Sequence, residues 1–298
     1  MVRTFAIAAL TLAAACGPNR DNVEWVRTER VEPIADLGVA DMSPVSVDVG
    51  GLENWDLSGA GPLTGIFALE VILKAEAIIE LESRQLLRLR VLQEGDFIRQ
   101  RATLCDLVFP SLPGIAELSI PPALSALLRA QAIEVEGVFL DDDMAVGATY
   151  APRLEPLVVG AELADPRADP LPMEADDSTV IDDDEDGAPG VSIGVDVVVC
   201  DQPEQMWVAL RLFNELTGTV EDMDTIAGSV VPQLDQSVLG MSHECVAPAA
   251  SIQVDLVEGS SFRALRVDDR DADADGNVSC AEISALAPEL FGDFWAGE

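Results

Sequence analysis

The chain has 298 residues, and its 54 Asp and Glu against 17 Lys and Arg give a formal net charge of −37 at pH 7. A surface of that sign repels nucleic acid and anionic lipid, which excludes nucleic-acid binding as a function class. Hydrophobic residues make up 49% of the chain, enough for a folded core, so the acidity does not imply wholesale disorder.

In chain order, residues 1–15 carry one basic side chain, Arg3, then an uncharged apolar run over 5–12, then Ala13-Ala14-Ala15-Cys16-Gly17. The run is too short to span a bilayer and has the layout of a secretory signal peptide. Small residues ending directly at a cysteine resemble the bacterial lipobox. That resemblance implies cleavage before Cys16, lipidation of its side chain and anchoring to a membrane. Ala13 stands where the lipobox usually has leucine, and Leu12 lies one place too early. The alternative is an ordinary signal peptide cut after an Ala-x-Ala pattern; the lipoprotein reading is preferred because the cysteine falls where the small residues stop. Gly17, rather than an aspartate, points by proteobacterial sorting rules to an outer-membrane lipoprotein on the periplasmic or surface face. Cleavage would remove Arg3 and no acid. Residues 16–61 then read as a lipidated, extended tether.

Residues 62–165 form a first β-rich half. The stretch 65–92 is rich in Ala, Leu and Glu and suits a helix by propensity. Yet Phe67, Leu69, Val71 and Leu73 alternate with their neighbours, as do Ile79 and Leu81, and Leu87, Leu89 and Val91 against Arg88 and Arg90. Alternation is the strand period. A turn at 93–96 leads into a strand over 97–109, which predicts hairpins. Pro121-Pro122 opens a helix over 123–129, and strands follow at 133–140 and 154–161.

Residues 166–190 mix prolines, acids and glycines and read as an acidic linker or a second calcium loop. Asp182, Asp184 and Asp186 repeat the 1, 3, 5 spacing of a calcium loop, with Gly187 at position 6. Position 12 is Ile193, so the closing glutamate is missing. Asp196 is the expected substitute, as in similar loops of extracellular calcium-binding repeats; a solvated acidic linker is the alternative. A second β-rich half, 191–268, has candidate strands at 191–200, 206–213, 252–257 and 262–267. The pattern predicts a mainly β fold, an antiparallel sandwich or barrel, with a short C-terminal calcium loop plus helix. One barrel interrupted by a long loop and two domains both remain open.

Beyond Cys16 the cysteines are Cys105, Cys200, Cys245 and Cys280. An even number in an exported chain predicts two disulfides with three connectivities. Zinc is a poor alternative, because no two cysteines stand two to four residues apart and the chain has one histidine.

Residues 269–298 hold the strongest motif. Asp271, Asp273 and Asp275 occupy positions 1, 3 and 5 of a twelve-residue EF-hand loop, with Gly276 at 6. Asn277 at 7 offers its backbone carbonyl, Ser279 at 9 can hold a ligand water, and Glu282 at 12 can close the site with both oxygens. Calcium is hard and takes six to eight oxygen ligands, which is why carboxylates converge from alternate positions of a curled loop. Val278 and Ile283 are the apolar anchors. A short exit helix is expected over 280–287, before Pro288; the segment 261–267 ahead of the loop suits a strand as well as a helix. The loop resembles the single calcium loops of bacterial extracellular proteins; dockerin modules use it twice in tandem.

Catalytic motifs are sparse. His243-Glu244 lacks the second histidine of a zincin helix, and Gly240-Met-Ser-His-Glu244 breaks the nucleophile-elbow pattern. Three readings follow. The first is a calcium-binding, membrane-anchored lipoprotein with a β-rich, non-enzymatic body. The second is a calcium-dependent carbohydrate-active enzyme or carbohydrate-binding module, for which Trp25, Trp55, Trp207 and Trp295 are the stacking candidates. The third is a lipid-carrying envelope barrel, which needs an apolar interior. Calcium and a membrane are the expected partners; a protein, glycan or lipid ligand is left open.

Overall fold

The computed structural model describes residues 60–296 apart from 77–78, 109–115, 131, 141–145, 252–254 and 275. The predicted signal peptide, Cys16 and nearly all of the tether lie outside the described residues, and so does Asp275. Strands β1 (Gly65–Glu76), β2 (Glu80–Glu94) and β3 (Phe97–Val108) form an antiparallel meander. Strand β4 (Ala116–Ser119), helix α1 (Pro122–Ala130), β5 (Ala132–Phe139), and the short β6 (Thr149–Tyr150) and β7 (Leu157–Val159) follow. After the acidic excursion come β8 (Val191–Val197) and the long hairpin β9 (Glu204–Asp222) and β10 (Thr225–Met241). One helical turn, α2 (Ala247–Ala250), then β11 (Asp255–Leu256) and β12 (Ser261–Arg266), lead to helix α3 (Cys280–Phe291).

These strands make one twelve-stranded sheet in the order β4-β8-β9-β10-β12-β1-β2-β3-β5, with β6 and β7 added to β9 and β11 to β1. Every strand pair is antiparallel. Strands from before and after the acidic excursion therefore interleave, since β1 pairs with β12. The sheet curls into a half-barrel rather than splitting into two stacked sheets. On the side of β5, Val135 bridges to Leu154, and the adjacent Arg153 bridges to Glu215 of β9.

Alternation places Phe67, Leu69 and Val71 of β1, and Leu87, Leu89 and Val91 of β2, in the interior core, where Leu124 and Leu128 of α1 join them. The opposite face of the same strands is also covered: Ala68, Leu86 and Cys105 pack under Ile283 and Ala287 of α3. Burial on both faces explains why 65–92 is apolar enough to mimic a helix in sequence. Cys105 has no partner across β2, because Leu86 pairs with Asp106 and Leu87 with Leu104. Alternation after the inward-facing Leu104 turns Cys105 outward towards α3, and the bulge leaves it without a partner in β2.

The predicted disulfides are both present, as Cys105–Cys280 and Cys200–Cys245. Helix α3 is longer than expected and runs through Pro288. The proline forfeits one backbone bond in the last turn and a half, where the helix is nearly finished and tertiary packing holds it.

Candidate metal centre

Two groups of carboxylates among the described residues can hold a metal ion: Asp271, Asp273 and Glu282, and separately Asp182, Asp184 and Asp186, each with oxygens within 4.8 Å of one another. The donors are all hard oxygens.

The C-terminal loop is entered from β12 through a 3-10 turn, Asp268–Arg270, not from a helix. Arg266, the last residue of β12, fixes that entry. Its guanidinium donates to Asp268 Oδ2 at 2.9 Å, to Asp224 Oδ1 at 2.9 Å and to the carbonyls of Pro62, Thr64 and Met223. Asp268 Oδ1 in turn accepts the Ile66 N–H at 2.6 Å. Inside the loop, Asp271 accepts the backbone N–H of Ala274 and of Gly276, both at 2.7 Å. Ala274 and Gly276 have φ of 59° and 85°; that left-handed pair curls the chain round the carboxylates, and glycine takes the tighter position without strain.

The exit is a capping box. Ser279 accepts the Glu282 N–H at 3.3 Å, while Glu282 Oε2 accepts both the N–H and the hydroxyl of Ser279 at 2.7 Å. Glu282 Oε1 accepts the Ala272 N–H at 2.8 Å, across the loop. These donors, Ser279 N–H first, hold the Glu282 carboxyl below the usual glutamate range. Glu282 thus stands at position 12 already ionised and oriented. Val278 and Ile283 are buried as expected, on the outer face of the sheet.

Sequence reasoning missed what clamps this loop to the sheet. Arg88 and Arg90 of β2 both donate to Asn277 Oδ1. Trp295, beyond α3, donates to Glu70 of β1 at 2.7 Å, and Glu70 also accepts from Arg84 at 3.1 Å. Arg84 lies over the Phe294 ring, 4.0 Å from its centre. The sequence signal was the row of arginines on the outward positions of β2, legible only once the outer face is known to be covered.

The second group lies in the excursion between β7 and β8. Asp182 accepts the N–H groups of Asp186 at 3.1 Å and Gly187 at 2.9 Å. Glu185 and Gly187 have φ of 57° and 86°, at the same two loop positions as Ala274 and Gly276. The two loops therefore share their curl. Asp184 is buried and accepts the Ser192 N–H at 3.0 Å through Oδ2. Burial, reinforced by the charges of Asp186 and Asp182, raises the Asp184 carboxyl above the usual aspartate range, with the Ser192 N–H acting against it. Asp196 does not join the group. It lies four residues beyond Ser192 along β8, about 13 Å at a strand's rise, and pairs with Glu117 of β4. Ser192, unmarked in the sequence, stands beside the loop instead, donating its hydroxyl to Asp186.

His243 accepts the Cys245 N–H at 3.1 Å and caps the short turn beside the Cys200–Cys245 bridge. Comparison of the chain with protein-family models, with curated proteins and with solved structures gave no match.

Proposed function

We propose that the protein is a calcium-binding, membrane-anchored lipoprotein of the bacterial envelope, with a non-enzymatic half-barrel body whose ion serves the fold. One observation carries the reading: the C-terminal loop has its position-12 carboxylate, Glu282, held against the loop by Ser279 and Ala272. Asp271, Asp273, Asp275 and Glu282 supply the carboxylates, Asn277 a carbonyl, and Ser279 a water. A spread, all-oxygen donor set with one bidentate acid suits calcium better than magnesium, which demands near-ideal octahedral geometry. Extracellular modules of this kind bind at about 10⁻⁴–10⁻³ M. Calcium at roughly a hundred times its Kd then adds about 2.7 kcal/mol of stability. Cys16 supplies the anchor, and the strong negative charge keeps the body off anionic lipid. Calcium titration of the full chain by calorimetry, paired with melting in calcium and in chelator, is the test. An identical melting temperature in both would sink the reading.

A second reading, a carrier of alkyl chains, is favoured by one cavity. Leucines 73, 81, 107, 124 and 128, among others, line a pocket of about 100 Å³ where α1 meets the sheet, with Gln85 at its wall. That volume suits the end of one chain; an engineered cavity of roughly 150 Å³ takes benzene. Displacement of a fluorescent fatty-acid analogue would measure it, and a Leu128→Trp variant that binds as well as wild type would exclude it.

A further inference from the structure

The acidic excursion lies in a different part of the chain from the C-terminal loop. Residues 182–186 are five acids in succession, and among the described residues no Lys or Arg forms an ion pair with them. Asp184 is only 9% exposed, and its Oδ1 is shut off from solvent with no hydrogen-bond partner. A buried carboxylate oxygen with nothing to meet it is strongly unfavourable, and doubly so beside two further carboxylates within 4.8 Å. A cation in the group removes both penalties together.

The sheet presents the acids to that point through one residue. Ser192, 1% exposed on β8, gives its N–H to Asp184 and its hydroxyl to Asp186. Asp183, pointing the other way, accepts the Gly160 N–H at 2.6 Å. The excursion is closed at its base as well: Ile181 donates to the Gly160 carbonyl, and Gly190 donates to the Ile181 carbonyl at 3.1 Å. Gly160 and Gly190 both press against β9, so closely that a Cβ on either would fall within 2.5 Å of the Val208 carbonyl oxygen.

We propose that Asp182, Asp184 and Asp186 form a second calcium site, with Ser192 as its positioning residue, and that the bound ion latches the excursion between β7 and β8 onto the sheet. Calcium is the fitting cation because three carboxylates converging from a curled loop make an irregular oxygen set that it accepts and magnesium resists. With no bidentate glutamate, this site is the weaker of the two. Ser192 pairs directly with Trp207 of β9, so the two side chains share a face with Cβ atoms about 5 Å apart. An ion held beside Ser192 is therefore within energy-transfer reach of that indole.

The test uses the full chain and terbium, excited through tryptophan and displaced by calcium, alongside calcium calorimetry. Wild type is expected to bind two ions. Glu282→Gln should keep the terbium signal and one ion; Asp184→Asn should lose that signal and keep the other ion. Asp184→Asn removes a buried, repelled charge, so its melting temperature in chelator should be no lower than that of wild type, which controls for folding. Ser192→Ala should weaken the site by roughly tenfold, as loss of a ligand-orienting group does, and Ser192→Thr should restore it. Calcium should protect residues 162–180 from limited proteolysis in wild type but not in Asp184→Asn. A single ion lost in Glu282→Gln overturns the second site and leaves the proposed function standing. A single ion lost in Asp184→Asn does the reverse, and no ion in wild type overturns both.

Discussion

Cys280 is bonded to Cys105, the extra residue of the β3 bulge, across 175 positions of sequence. The bridge ties position 10 of the C-terminal loop, which does not ligate, to the wall of the half-barrel. Cys105 follows the inward-facing Leu104, so strand alternation turns its side chain outward, towards α3. Replacing both cysteines by serine should cost about 2–4 kcal/mol, the usual worth of a bridge closing a long loop. Melting of the double variant against wild type measures this. Calcium affinity of the C-terminal loop should fall as well, because the freed loop must be ordered when the ion binds. Four alkylatable thiols in the native exported protein would contradict both bridges.

Arg266 gathers the chain ends of the site. One guanidinium bonds two carboxylates and three carbonyls drawn from the segment before β1, the β9–β10 turn and the loop entry, and it stacks 4.8 Å from the Phe67 ring centre. Arg266→Ala should lower stability by about 3 kcal/mol, since several charge-assisted bonds are lost at once. Arg266→Lys should recover little of this, because an ammonium cannot reproduce the planar fork. Denaturant unfolding of the two variants separates them; a lysine variant as stable as wild type would show that only the charge matters.

The alternation of Phe67, Leu69, Val71 and Leu73 made β1 legible, and the spacing of Asp271 to Glu282 made the C-terminal loop so. The β9–β10 hairpin was only half visible, as a strand over 206–213. Its remainder holds Gly218, Gly228 and Pro232, residues that argue against a strand by propensity. The structure accommodates them for tertiary reasons. β12 pairs with β10 only from Thr225 to Ser229, so Pro232 faces an edge where a missing N–H costs little. Gly218 and Gly228 pair side by side beneath two large rings. Ser192 was invisible because nothing local marks a serine that will stand beside a distant loop. The same holds for Arg88 and Arg90, whose partner Asn277 lies nearly two hundred residues away.

Those two rings belong to Tyr150 of β6 and Phe262 of β12, 5.9 Å apart across the glycine pair. Tyr150 is fully buried, donates to Gln100 at 2.7 Å, and is the chain's single tyrosine. Burial drives its phenol well above the ordinary value. Because the folded pKa is raised, the stabilisation is complete below the unfolded value near 10 and is lost as pH rises towards the folded one. Phenolate absorbance should therefore appear only together with alkaline unfolding, as one transition with the loss of β-sheet dichroism. A phenolate signal that titrates near pH 10 in protein still folded would contradict the buried placement. Gly218→Ala should disturb the same row, since its Cβ would lie 2.8 Å from the Phe262 ring and 2.2 Å from the Ala227 carbonyl oxygen.

Glu282 has two duties, and its substitutions separate them. As the proposed ligand it would close the C-terminal loop; as a cap it accepts from Ser279 and Ala272 without any ion. Glu282→Gln keeps one acceptor oxygen and loses the charge, so calcium-dependent melting should largely vanish while the calcium-free melting temperature falls slightly. The pH dependence follows from the same contacts. The folded pKa is depressed, so its contribution to stability is present above the unfolded value near 4.3 and is lost as pH falls through the folded one. In chelator, the gap between wild type and Glu282→Gln should therefore be constant near neutral pH and close on acidification. In calcium the gap should be wider and should persist to lower pH, because the bound cation holds the ligand carboxylate ionised further into the acidic range. Melting both proteins across that range, with and without the ion, reads the cap and the ligand separately. A gap that appears only in calcium would show that the capping contacts contribute nothing.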